Sequence, residues 1–199
     1  MAGGTATRRI AIIQGHPHPK GGRFCHALAD AYAAGAEAVG HAARRVEVAR
    51  LDFPILRTQT EFETAAPTAD IRAAQDAIRW AEHLVIVYPL WLGTMPALLK
   101  GFFEQAFRPG FAFEHTSKGL WRKRLKGRSA RIVVTMGMPA FVYRWYFGAH
   151  GLKSLERNIL GFCGIGPIRE SLVGMVEAGG DKRRRIWLAK MTTLGRRGV

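Results

Sequence analysis

Three short stretches of this chain carry the groups that could do chemistry. The first is Gly15-His16-Pro17-His18-Pro19-Lys20-Gly21-Gly22-Arg23, dense in turn formers and followed at once by a helical pattern. The free amides and positive end of a helix that starts there can hold a phosphate, and His16, Lys20 and Arg23 add donors. The stretch has neither Gly-Lys-Ser/Thr nor Gly-x-Gly-x-x-Gly, so it is not one of the common nucleotide fingerprints. No acid or cysteine accompanies His16 and His18, and no metal is expected. The second stretch is Pro89-Leu90-Trp91-Leu92-Gly93, leading through Thr94, Met95 and Pro96 into Ala97–Glu104. Backbone groups of Leu90 to Gly93 can meet the polar edge of a flat ring while Trp91 or Leu92 covers its face. The third is Thr135-Met136-Gly137-Met138-Pro139, where glycine permits close backbone approach. One phosphate-compatible turn plus two backbone-rich loops suits a ligand with a phosphate tail and a planar head, which describes a flavin.

These loops need a frame that brings them together. Apolar runs at 9–14, 46–51, 84–88, 130–135 and 165–173 read as strands. Between them, helical spacing appears at 24–39, 70–82, 96–107 and 152–162, with a basic helix over 181–194. Alternation of this kind predicts an α/β domain with a five-stranded parallel sheet covered on both faces, in the doubly wound order 2-1-3-4-5. In such a sheet the loops after strands one, three and four share a crevice at the carboxyl ends. The segments 53–67 and 115–127 read as long loops. One domain over 1–199 is expected, with 1–8 a flexible terminus.

Thirty Lys and Arg stand against 15 Asp and Glu, a net charge of +15. Much of the excess lies in two acid-free runs, 118–131 and 182–197. Such charge is compatible with a solvated face, an anionic cosubstrate, an acidic protein partner or a peripheral membrane contact. It also brings salt-sensitive adhesion to nucleic acid, but no recognition module is present, so no specific nucleic-acid role is expected. Two cysteines, Cys25 and Cys163, make no disulfide framework. With no signal-peptide pattern at Met1–Arg9 and no apolar run of the roughly 18 residues a membrane span needs, a cytoplasmic protein is expected.

The residues Gly15-His16-Pro17, the run Pro89-Leu90 through Pro96-Ala97-x-Leu99-Lys100-Gly101-x-Phe103-Glu104, and Gly110-Phe111-Ala112-Phe113 resemble the flavodoxin-like NAD(P)H quinone reductases, over about 9–162. The resemblance implies a homodimeric flavin enzyme with sites at the subunit interface. It implies FAD, favoured over FMN, with NAD(P)H as cosubstrate and a quinone-like acceptor, in two-electron ping-pong chemistry. His16, Arg23, Phe24 and Cys25 match the phosphate end, Cys25 replacing a polar residue of some relatives. Pro89 and Leu90–Gly93 match the loop along the ring, and Thr135, Met136, Gly137 and Met138 the polar edge, through their backbone. Glu104 matches an acid near the flavin, and Phe113 an aromatic wall of the quinone pocket. Tyr143 and His150 match a Tyr and His that assist hydride transfer, with spacing one residue longer; His115 is a competing candidate and is placed with the substrate. The positive charge favours NADPH over NADH.

Two other readings stand beside the reductase. One is an ancillary subunit of a membrane transport system, docking through the basic segments. The other is a flavodoxin-type electron carrier, which the absence of a hydroxyl-rich phosphate loop disfavours.

Overall fold

The computed structural model describes residues 7–116 and 119–199. Most of the expected N-terminal tail 1–8 falls outside these, as does Lys118 of the first basic run. In chain order the elements are β1 (Arg9–Gln14), α1 (Phe24–Glu37), β2 (Ala42–Glu47), α2 (Gln59–Thr64), α3 (Ala69–Trp80), β3 (His83–Pro89) and α4 (Ala97–Ala106). There follow β4 (Phe113–His115), β5 (Trp121–Lys123), β6 (Ser129–Thr135), α5 (His150–Lys153), β7 (Ile168–Val173) and α6 (Gly180–Arg196).

The main sheet has the order β2-β1-β3-β6-β7, and every neighbouring pair is parallel. This is the flavodoxin-like arrangement expected from the alternating pattern. The central strands are apolar on both sides because both faces are covered. Ala11, Ile13, Leu84, Ile86, Ile132 and Val134 join the core beneath α3 and α4. Ile10, Ile12, Val85, Val87 and Val133 point the other way, into the core with Leu28 and Tyr32 of α1 and Met191 of α6. On that second face α1 and α6 approach very closely. A Cβ on Gly35 would overlap the Thr192 carbonyl, and one on Gly195 the Tyr32 carbonyl.

Several boundaries differ from the sequence expectation. The second strand was expected at 46–51 but runs Ala42–Glu47, pairing with β1 from Arg9↔Ala42 to Gln14↔Glu47. It is an edge strand in which only Val46 is buried and the remaining apolar residues are two alanines, so its pattern does not look apolar, and buried Val48 belongs to a 3-10 turn, Val48–Arg50. The last strand begins at Ile168 rather than 165, beyond Pro167, which has no N–H to give a ladder. The segment 53–67 holds α2, started by a capping box in which Thr58 and Glu61 each accept from the other's backbone N–H. The segment 115–127 holds one strand of the β4–β5 hairpin, with Phe113↔Lys123 and His115↔Trp121 paired. The final helix of the 152–162 region starts at His150 and widens to a π-helix over Ser154–Gly161.

Much of the first basic run is engaged inside the molecule. Arg131 is 5% exposed and donates to Val199 O and Ser171 Oγ. Arg128 donates to the Ile78 and Arg79 carbonyls at the end of α3. Arg122 and Arg124 both pair with Glu114 across the hairpin, and Lys123 donates to Gly161 O. Among the described residues, no helix is long and apolar enough to cross a membrane.

Candidate active site

The carboxyl ends of β1, β3 and β6 open into one cleft of about 750 Å3. This volume is within the usual range for small-molecule sites, roughly 300–1,000 Å3. His16, Arg23, Phe24 and Cys25 line one end. Pro89, Leu90 and Trp91 line a second side, and Thr135, Met136 and Gly137 a third. The parallel sheet explains the convergence: the Leu90 N–H donates to Thr135 O at 2.8 Å, and the Gly15 N–H to Val87 O at 2.7 Å, so the loops leave the sheet side by side.

At the first end, the chain enters α1 without a side-chain cap on Arg23. Among the described residues, no backbone carbonyl accepts from the N–H of Phe24 or Cys25. A 14-residue helix thus presents free amides and its positive end to the cleft, beside the Arg23 side chain. His16 lies against this end. Its Nδ1 accepts the His18 N–H at 3.1 Å, so in the neutral ring the proton is on Nε2, available to an anion. Burial, reinforced by the nearby charges of His26, Arg23 and His18, lowers His16 to about 4, so the ring is neutral at physiological pH. The His16 and His26 ring centroids are 5.3 Å apart.

Cys25 closes the floor. Its Sγ is 3.1 Å from Thr135 Oγ1, joining the first turn of α1 to the end of β6. Burial pushes the Cys25 thiol up to about 12, which excludes a thiolate role near neutral pH.

The other end is built from backbone. Trp91-Leu92-Gly93-Thr94 forms a tight turn closed by Trp91 N–H to Thr94 O at 2.9 Å and Thr94 N–H to Trp91 O at 3.0 Å. Its central residues have positive φ, 46° at Leu92 and 80° at Gly93, the pattern of a type I′ turn. Among the described residues, no hydrogen bond engages the N–H of Leu92, Gly93, Gly137 or Met138. Met136 is different: its N–H donates to Val173 O and its carbonyl accepts from Val176 N–H. Met138 is partly buried, with its carbonyl bonded to Met175 N–H. Of the groups expected at the ring edge, the Met136 amide is thus taken by β7, while the Gly137 and Met138 amides have no backbone partner among the described residues. A Cβ on Gly137 would meet nothing within 4 Å, so the backbone there is open to a ligand.

The remaining sequence candidates are placed elsewhere. Glu104 pairs with Lys100 at the rim of a separate apolar hollow of about 220 Å3, which Phe62, Phe103, Phe113 and Phe162 line. His115 stacks on Trp121 of the hairpin, with centroids 3.6 Å apart. His150 is exposed at the start of α5. Tyr143 is 1% exposed, in a π-helical turn at Val142–Tyr146, and does not line the cleft. Leu92, Gly93 and Met138 do not line the cleft but adjoin Trp91 and Gly137, which do, and the Leu92 side chain is fully exposed. Sequence reasoning missed Val176 and Glu177, which reach the cleft from the loop after β7. The rule that ligands settle at strand carboxyl ends applies to that loop too and would have found them. It also missed His26, which helical spacing puts within the first turn of α1, beside His16. Among the described residues, no group of three or more His, Cys, Asp or Glu is arranged to hold a metal ion.

The cleft fits a flavin in its features: free helix amides and an Arg for a phosphate, free loop amides for a polar ring edge, and an exposed Trp91 beside them. A family model described as the flavodoxin-like fold matches residues 8–192. The chain belongs to this family. Among relatives of this flavodoxin-like chain, an NAD(P)H oxidoreductase of Haemophilus influenzae is 29% identical over 134 residues, covering 63% of this chain and 66% of that one. A ribosyldihydronicotinamide dehydrogenase-like protein of Penicillium crustosum is 30% identical over 119 residues, covering 56% of this chain and 42% of its own length. The match thus spans about two fifths of the fungal protein and just under two thirds of the bacterial one. The NAD(P)H:quinone oxidoreductase of Methanothermobacter marburgensis superposes with a TM-score of 0.80 at 22% identity, over 98% of this chain and all of that one, a likeness of fold.

Proposed function

We propose that this protein is a flavin-dependent NAD(P)H oxidoreductase that passes two electrons to a quinone or similar aromatic acceptor. The observation that carries this reading is the division of one cleft into a cationic, uncapped helix end and a rim of unpaired loop amides. Membership of the flavodoxin-like family and the names of its relatives support it.

A bound flavin would supply the hydride chemistry, accepting from the nicotinamide and passing two electrons on. The chain's own part is binding, orientation and electrostatics. The Phe24 and Cys25 amides, Arg23 and the neutral His16 Nε2–H hold the phosphate. The Leu92, Gly93, Gly137 and Met138 amides would hold the polar edge of the ring and stabilise the negative charge of its reduced form. Trp91 and Leu90 wall the cleft and exclude water from one side. A single cleft serves nicotinamide and acceptor in turn, which is a ping-pong order. FAD and FMN share the phosphate that the cradle grips; FAD is the favoured form, and NADPH the favoured donor because of the positive surface.

A homodimer accompanies this reading. Phe141, Trp145, Tyr146 and Phe147 are each half or more exposed on one turn, an aromatic face that a second copy would cover.

Purified protein tests the proposal directly. Denaturation should release a yellow chromophore whose mass distinguishes FAD from FMN, and NADPH should bleach the bound chromophore without any partner protein. A colourless protein that takes up neither flavin would refute the reading.

A further inference from the structure

The Leu92–Gly93 turn is held in a conformation that its own sequence resists. A non-glycine residue at φ 46° costs on the order of 1–2 kcal/mol, and the Leu92 side chain, fully exposed, gains no burial in return. The two hydrogen bonds between Trp91 and Thr94 offset part of this cost, and contacts from outside the turn add to them.

Two groups meet the turn at the Gly93 carbonyl. The Tyr143 hydroxyl donates to Gly93 O at 3.4 Å and accepts the Leu152 N–H at 3.1 Å. Gly151 packs against the same carbonyl so closely that a Cβ would overlap it and the Thr94 Cα. The π-helical turn at Val142–Tyr146 explains how the ring reaches inward. Its wider backbone, closed by Phe147 N–H to Val142 O, buries Tyr143 while Phe141, Trp145 and Tyr146 face out. The Ala149 N–H further fixes the Tyr143 carbonyl at 3.0 Å. A tyrosine buried outside the cleft, with its proton and one lone pair engaged by backbone, is badly placed to exchange a proton with a substrate.

We propose that Tyr143 is a positioning residue: clamped by Leu152 N–H, its hydroxyl fixes the Gly93 carbonyl and so aims the Leu92 and Gly93 amides at the mouth of the cleft. The functional consequence rests on the flavoprotein reading above. The clamp itself is a property of the chain and is tested without cofactor.

In flavin-free protein, Tyr143→Phe should speed amide exchange at Trp91 and Thr94, the two N–H groups that close the turn, by about three- to tenfold, the scale of one neutral hydrogen bond. Amides of Leu84 to Val87 in β3 should be unchanged. In flavin-loaded protein, kcat/KM for NADPH should fall by a similar factor while both limbs of its pH profile persist. Gly151→Ala, which displaces the same carbonyl with Tyr143 intact, should reproduce the exchange result and keeps the test open if Tyr143→Phe does not fold. Unchanged exchange at Trp91 and Thr94 in the folded variant overturns the proposal. So does loss of one limb of the pH profile in Tyr143→Phe, which would make Tyr143 a proton donor. Failure of the wild-type protein to bind flavin would instead remove the flavoprotein reading, leaving the exchange measurement to decide the clamp.

Discussion

Cys25 Sγ and Thr135 Oγ1 sit 3.1 Å apart, a short bridge between the helix that would grip the phosphate and the strand whose end carries the ring-edge loop. Both residues are buried at the floor of the cleft, so the bridge sets the distance between its two halves. Replacing Cys25 by Val should leave the Thr135 hydroxyl buried and unpaired, at a cost of about 1–3 kcal/mol. Cys25→Ser should be tolerated because it keeps a partner. Chemical denaturation of the two variants separates these outcomes; equal stability would show that the bridge contributes nothing.

The same burial makes the thiols inert. Cys25 and Cys163 are both pushed up to about 12, so thiolate is scarce at pH 8. A disulfide reagent should label neither cysteine in the native protein and both after addition of guanidinium. Rapid native labelling at either site would contradict the packing described above.

Acid should weaken the fold through histidine. His83 lies in the β3–β6 ladder with Nδ1 2.7 Å from Ser129 Oγ, and burial, then the charges of Arg131, Arg8 and Arg169, lower it to about 3. Its unfolded value is 6.5. Between these values the unfolded chain binds the proton and the folded chain does not, so stability falls as pH drops from about 6.5 toward 3. His16, lowered to about 4, acts in the same direction over the upper part of that window. Urea midpoints measured from pH 7 to pH 4 should decline, and His83→Gln should flatten the decline. A variant with the wild-type slope would remove His83 from the account.

The α1–α6 contact leaves no room for a methyl group. Gly35→Ala and Gly195→Ala each set a Cβ against a backbone carbonyl of the facing helix, which cannot move as a side-chain tip would. Overpacking of this kind costs about 1–3 kcal/mol. A drop in Tm of about 2–12 °C is expected for a chain of this length. Thermal melts of both variants check it, and Gly137→Ala, where a Cβ meets nothing, provides the control for stability.

The phosphate end can be tested by a ligand pair. His16→Ala and Arg23→Ala should each weaken FMN binding by roughly ten- to a hundredfold, the range for hydrogen bonds to a charged group. Riboflavin, which lacks the phosphate, should bind both variants and the wild type alike. Equal losses for the two ligands would mean that these side chains do not read the phosphate.

Pattern and punctuation in the sequence carried the central architecture. The apolar runs at Ile10–Ile13, Leu84–Tyr88 and Ile132–Val134 are short, rich in β-branched residues and followed by turn formers, which reads as strands buried on both faces. The turn formers after Gln14, Pro89 and Thr135 then had to lie at their carboxyl ends. The edge strand Ala42–Glu47 was less legible, because one side of an edge needs no apolar residues. The β4–β5 hairpin was hidden too, since a three-residue strand has too little period to recognise.

What the sequence determined by itself, therefore, is the alternation of strands and helices and the turn residues that follow β1, β3 and β6; that these loops share one cleft rested on the doubly wound order natural to five such strands, which the sheet itself decided. What only the tertiary structure decided is which groups in those loops remain free. The Met136 amide belongs to β7 while the Gly137 amide is open, Tyr143 faces backbone rather than the cleft, and Glu104 answers to Lys100. Each of these is settled by a partner distant in sequence, or one helical turn away with a choice of faces, and such pairings exist only once the sheet and its covering helices have come together.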